Sequence, residues 1–155
     1  MTTRRQFLGT STAAGALLMA ASWRSIAQGA QRGTMLTRTI PSSGEAIPAI
    51  GMGTSGSFEV PANSDEYKAL KEVLRRLFDG GASLIDTAPT YSNAEDNLGP
   101  LLTELKLRPK CFLATKLSGV TGREAGLAKF ASTLKRLQTD RVELLQVHNL
   151  RDWKT

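Results

Sequence analysis

Strand-like and helix-like segments alternate along most of this chain, and that alternation restricts the fold more than any other feature. Ser83–Asp86, Cys111–Thr115 and Val142–Val147 are short, mostly apolar and strand-like. Between them run helical repeats. Tyr67, Leu70, Val73, Leu74, Leu77 and Phe78 form one, Leu98, Leu101, Leu102 and Leu105 a second, and Leu127, Phe130, Ala131, Leu134 and Leu137 a third. Asn63 and Ser64 are N-cap candidates for the first helix, with Asp65-Glu66 in its first turn and Gly80-Gly81 at its end. Upstream, Leu36–Ile40 and Glu45–Ile50 flank Pro41-Ser42-Ser43-Gly44 and read as a β-hairpin, with Gly51-Met52-Gly53-Thr54 ending the second extended stretch. Strands alternating with helices through short connections specify a parallel α/β sheet, here of four strands and three helices.

The first 27 residues are read apart from that domain. Arg4 and Arg5 open them, a mildly apolar stretch from Phe7 to Ala21 follows, and Ser25-Ile26-Ala27 offers small residues at a cleavage site. Charge, apolar run and cleavage site in that order are the parts of an export signal. The apolar run is too short and weak for a permanent membrane anchor, so the expected membrane contact is transient. Residues 28–35 read as a linker, and residues 36–155 as the folded domain. The formal charge of +6 falls to +3 when Arg4, Arg5 and Arg24 leave with residues 1–27. The remaining Lys and Arg residues are scattered along helical segments, and no concentrated basic face suggests nucleic acid as a partner. Cys111 is the single cysteine, so an intramolecular disulfide is excluded.

In a parallel α/β fold, ligands gather at the carboxyl ends of the strands. Those positions hold Gly53-Thr54, then Asp86 with Tyr91 five residues on, then Lys116, then His148-Asn149. Each alone has an ordinary explanation: a loop cap, a packed ring, a solvated lysine, a core histidine. All four on one face are a set able to move a proton onto a carbonyl oxygen. A free phenol titrates near ~10, and an adjacent ammonium favours the phenolate. A carboxylate keeps that ammonium charged, and an imidazole hydrogen-bonds the substrate oxygen. No metal-ligand spacing occurs.

These residues carry a family resemblance. Asp86-Thr87-Ala88-Pro89-Thr90-Tyr91, followed by Glu95 and Leu98-Gly99, resembles the signature after the second strand of the aldo-keto reductases. Ala114-Thr115-Lys116 resembles the family's lysine strand. Ser132 to Asp140, running into Leu144-Leu145-Gln146-Val147-His148-Asn149, resembles the helix and strand that deliver its histidine, and Ile47 to Thr54 its hairpin and first strand. The resemblance implies the first half of a (β/α)8 TIM barrel, since the full barrel typically takes about 250 residues. It implies NADPH as cofactor, with NADH as the alternative, and a small-molecule aldehyde or ketone as substrate. Tyr91 would be the general acid, Lys116 its modulator, Asp86 the lysine's partner and His148 the substrate-orienting group. Gly53, Thr54 and Asp86 would line the nicotinamide-ribose end. The groups holding the rest of the cofactor would come from the second half of the barrel. The run Thr3-Arg4-Arg5-Gln6-Phe7-Leu8 resembles a twin-arginine export signal, which implies the twin-arginine machinery as a partner and a periplasmic or exported destination, cytoplasmic if the signal goes unused.

Three rival readings carry different expectations. Gly51-Met52-Gly53-Thr54-Ser55-Gly56 spells G-x-G-x-x-G, but a Rossmann fingerprint needs a helix opening at its third glycine. Here Ser57 to Pro61 intervenes, and the helix is expected only near Ser64. A non-catalytic binding or sensor subunit, or an inactive truncated product, would retain the fold without turnover.

Overall fold

A computed structural model describes residues 34–150; the expected export signal, and most of the expected linker, lie outside the described residues. The hairpin is present. β1 (Thr37–Thr39) and β2 (Ala46–Pro48) pair antiparallel with Arg38 opposite Ile47, and the turn closes with Ile40 N–H donating to Glu45 O at 2.8 Å. The extended run from Glu45 does not continue unbroken to Thr54. The chain bends after Pro48, and β3 (Gly51–Gly53) changes partner, leaving the hairpin for a four-stranded sheet. Gly51 suits the junction, because a Cβ there would lie 2.5 Å from Leu84 Cδ2 on the next strand.

α1 (Asp65–Asp79) starts where capping chemistry says it should. Ser64 accepts a hydrogen bond from Tyr67 N–H, and Asp65 and Glu66 fill the first turn. Leu70 and Leu74 are buried, whereas Val73, at the margin of the apolar stripe, is 43% exposed. β4 (Leu84–Asp86), α2 (Ala94–Glu104), β5 (Phe112–Leu117), α3 (Arg123–Arg136) and β6 (Leu144–Val147) complete the alternation. β5 extends past Thr115 to include Lys116, and β6 begins two residues later than the sequence pattern suggests. The sheet order is β3-β4-β5-β6, all parallel. No helix opens at Gly56, and Gly51–Gly53 is itself a strand, so the G-x-G-x-x-G run lacks the Rossmann context.

Alternation along each strand separates two environments. Ile85 and Leu113 turn to one face and join Leu70, Leu74, Leu98, Leu101 and Leu137 in the core between sheet and helices. Burying each such side chain contributes about 1.5–3 kcal/mol. Asp86, Lys116 and Gln146 fall on the other face.

α3 corrects the sequence reading. The expected apolar face included Leu127 and Ala131, yet Leu127 is 51% exposed and Ala131 is also exposed. The buried positions are Gly126 and Thr133, with Leu137 at the C-cap. The reason is polar. Glu95, 1% exposed, accepts from Thr115 Oγ1 at 2.8 Å, from Arg136 Nε at 2.9 Å and from Arg136 Nη2 at 2.6 Å. Thr133 Oγ1 also donates to it, at 3.3 Å. A buried carboxylate must be paired, and satisfying this one rotates Thr133 and Arg136 inward. Gly99 completes the junction, since a Cβ there would lie 2.6 Å from the Leu137 carbonyl carbon. Among the described residues no helix is long and apolar enough to cross a membrane.

Candidate active site

The C-terminal ends of the four parallel strands carry the candidate residues, and the loop after β4 is held by several hydrogen bonds. Thr87 N–H continues the ladder to Ala114 O at 2.9 Å. Tyr91 sits in a turn fixed on both sides, its N–H donating to Ala88 O and its carbonyl accepting from Ala94 N–H at 2.8 Å. Asn93 Nδ2 donates to Val60 O at 2.7 Å, and Asn97 Nδ2 to Phe58 O at 2.8 Å. These bonds staple the long loop before α1 to the start of α2. Tyr91 is therefore held by backbone and amide contacts rather than by its own hydroxyl, which has no hydrogen-bond partner among the described residues.

Asp86 and Lys116 form an ion pair through Oδ1 and Nζ. The ammonium also donates to Thr87 O at 2.8 Å, and Gln146 Nε2 donates to the second Asp86 oxygen at 3.1 Å. Strand register explains the meeting: Asp86 is level with Ala114, and Lys116, one pleat further along, is level with Gln146. Lys116 Nζ lies 5.1 Å from the centroid of the Tyr91 ring, within range of a cation–π attraction. His148 meets the same ring edge-on, with centroids 5.9 Å apart and planes at 87°. Its Nδ1 lies 2.9 Å from Ser118 Oγ and 3.2 Å from Thr90 Oγ1. Asp86, Tyr91, Lys116 and His148 are thus brought together as one cluster.

Gly53 and Thr54 lie beside it but differ in what they present. A Cβ on Gly53 would meet no heavy atom within 4 Å, so open space stands over the end of β3 beside Asp86. Thr54 is 0% exposed, and its hydroxyl is 2.9 Å from Thr87 Oγ1 and 3.3 Å from Asp86 O. It ties β3 to the end of β4 from beneath the rim.

Sequence reasoning passed over four contributors: Gln146, Thr87, Ser118 and Thr90. Period-two alternation was the available signal for Gln146, which precedes His148 by two residues. Thr87 acts through its backbone carbonyl, which no side-chain pattern reveals. Cys111 takes no part. Burial pushes its thiol up to about 12, against the opposing pull of Arg108 and with a smaller rise from Glu143, so it stays protonated and inert.

Residues 49–155 match the Aldo/keto reductase family. The chain belongs to that family. The aldo-keto reductase YhdN of Bacillus subtilis is 33% identical over 121 residues, covering 71% of this chain and 37% of that protein. The methylglyoxal reductase YeaE of Escherichia coli is 32% identical over 118 residues, covering 74% of this chain and 40% of that protein. Among solved structures, an aldo-keto reductase from Klebsiella pneumoniae in complex with NADPH superposes with a TM-score of 0.62 at 30% identity, covering 74% of this chain and 40% of that one. This aldo/keto reductase chain therefore spans about two fifths of the length of the relatives it matches, and its four strands and three helices are the first half of their (β/α)8 barrel.

Proposed function

We propose that the protein is an NADPH-dependent oxidoreductase that reduces an aldehyde or ketone to an alcohol. The observation that carries this reading is the convergence of Asp86, Lys116, Tyr91 and His148 at the carboxyl ends of consecutive parallel strands. NADPH is bound in the Klebsiella relative; in this chain the open space over Gly53 beside the Asp86 carboxylate would receive the nicotinamide ribose. Thr54 would hold that rim in place from below.

Bound there, NADPH would supply the hydride for the carbonyl carbon. The chain's own groups handle the proton. Tyr91 Oη, without another partner among the described residues, donates its hydrogen to the carbonyl oxygen as negative charge grows there. The Lys116 ammonium, 5.1 Å from the centroid of the ring, would stabilise the phenolate left behind, and Asp86, braced by Gln146, holds that ammonium in position. His148, packed edge-to-face with the same ring, orients the substrate oxygen. Aldehyde or ketone, NADPH and a proton become alcohol and NADP+.

The reading is tested by incubating the full-length protein with NADPH and a panel of small aldehydes and ketones, following loss of nicotinamide absorbance. Carbonyl-dependent oxidation is expected. NADPH binding without turnover of any carbonyl would favour a non-catalytic binding or sensor subunit, and neither binding nor turnover an inactive product.

Export is a second part of the proposal and rests on Arg4-Arg5-Gln6-Phe7-Leu8. An enzyme threaded out unfolded would arrive without a cofactor made in the cytoplasm, whereas a twin-arginine route carries folded proteins. The Arg4→Lys/Arg5→Lys variant keeps the charge but loses the planar multi-donor guanidinium groups. Cell fractionation should find wild type in the periplasm and the variant retained in the cytoplasm. Equal periplasmic amounts would rule out this route.

A further inference from the structure

His148 is anchored at its backbone, whose N–H donates to Leu117 O at 2.8 Å. Its ring is contacted on two sides. The edge-to-face packing with Tyr91 sets the ring plane, and the hydroxyls of Ser118 and Thr90 both reach Nδ1, at 2.9 and 3.2 Å. The two hydroxyls come from different loops, after β5 and after β4. Neither has another hydrogen-bond partner among the described residues, and Nε2 has none.

A neutral imidazole carries its hydrogen on one nitrogen and a lone pair on the other, and a neighbouring hydrogen bond decides which. If Nδ1 carried the hydrogen, both hydroxyl hydrogens would lack an acceptor among the described residues. If Nδ1 is the bare nitrogen, Ser118 donates to it at the shorter distance and Thr90 shares from the rim. We propose that Ser118, assisted by Thr90, is a positioning residue that fixes His148 as the Nε2–H tautomer and thereby presents a hydrogen-bond donor to the substrate oxygen. The tautomer assignment stands on the contacts alone; its purpose rests on the carbonyl-reductase reading above.

The test labels the imidazole nitrogens of the full-length protein with 15N and records two-bond nitrogen–proton correlations, with the His148 signals assigned by their loss in His148→Gln. The expected wild-type spectrum shows a bare Nδ1 and a protonated Nε2. Ser118→Ala should yield a mixture of tautomers, which Ser118→Thr, retaining a hydroxyl, should not. Ser118→Ala should also lower kcat/KM for an aldehyde by about tenfold, the scale of one hydrogen bond, with NADPH affinity unchanged and activity restored by Ser118→Thr. A protonated Nδ1 in the wild type, or an unchanged spectrum in both Ser118→Ala and the Ser118→Ala/Thr90→Val double variant, would overturn the tautomer assignment. A shifted tautomer with unchanged kcat/KM would overturn the positioning role. Absence of all carbonyl turnover in the wild type would overturn the reductase reading instead, while the spectra would still decide the tautomer.

Discussion

Tyr91→Phe in the full-length protein should lower carbonyl reduction by about 10²–10⁴-fold, the usual contribution of a positioned general acid, while leaving NADPH affinity close to wild type. The asymmetry follows from the geometry. The Tyr91 hydroxyl has no hydrogen bond to lose among the described residues, and the turn is held by its backbone and by Asn93 and Asn97. The phenylalanine ring preserves the contacts with Lys116 and His148, which depend on the ring and not on the oxygen. Steady-state rates beside a binding titration measure the two quantities separately. Near-wild-type reduction by the variant would remove Tyr91 as the proton donor, whereas parallel loss of binding and rate would indicate a collapsed site.

The second large effect is on stability. Glu95→Ala should destabilise the protein by about 3 kcal/mol, toward the lower end of the cost of breaking a buried ion pair. The lower end applies because the Arg136 side chain retains 25% exposure, so water recovers part of the loss. Thr115 and Thr133 would also lose their shared acceptor. Glu95→Gln, which keeps an acceptor oxygen but no charge, should fall between wild type and Glu95→Ala. Urea unfolding of the three proteins gives the comparison. A loss under about 0.5 kcal/mol for Glu95→Ala, the range of ordinary surface substitutions, would show that the pair does not hold α2 and α3 to β5.

How far the sequence alone carried the fold can be judged element by element. The parallel order was legible because helix and strand periodicities alternate with few exceptions. α1 was legible to its cap because Ser64, Asp65 and Glu66 announce a helix start locally. α3 was not, because its orientation depends on a carboxylate on another helix; Leu127 and Ala131 look like core until Glu95 claims Thr133 and Arg136. The break between β2 and β3 was hidden for a similar reason. Both strands read as extended, and only the identity of the pairing partner separates them. In the site, Asp86, Tyr91, Lys116 and His148 could be found because each falls at a strand end or in the loop after it. Gln146 could have been found from period-two alternation with His148, but Ser118 and Thr90 could not, since their roles depend on which strand ends lie side by side.

The central claim is that hydride reaches a carbonyl carbon at this cluster while Tyr91 supplies the proton. It is tested most directly by supplying the full-length protein with NADPH carrying deuterium in place of both hydrogens at the nicotinamide C4 position and analysing the alcohol formed from an aldehyde. The account predicts deuterium on the carbinol carbon with wild type, and almost no labelled alcohol with Tyr91→Phe at saturating cofactor. Alcohol formed without deuterium on that carbon, or labelled alcohol formed equally by both proteins, would contradict it.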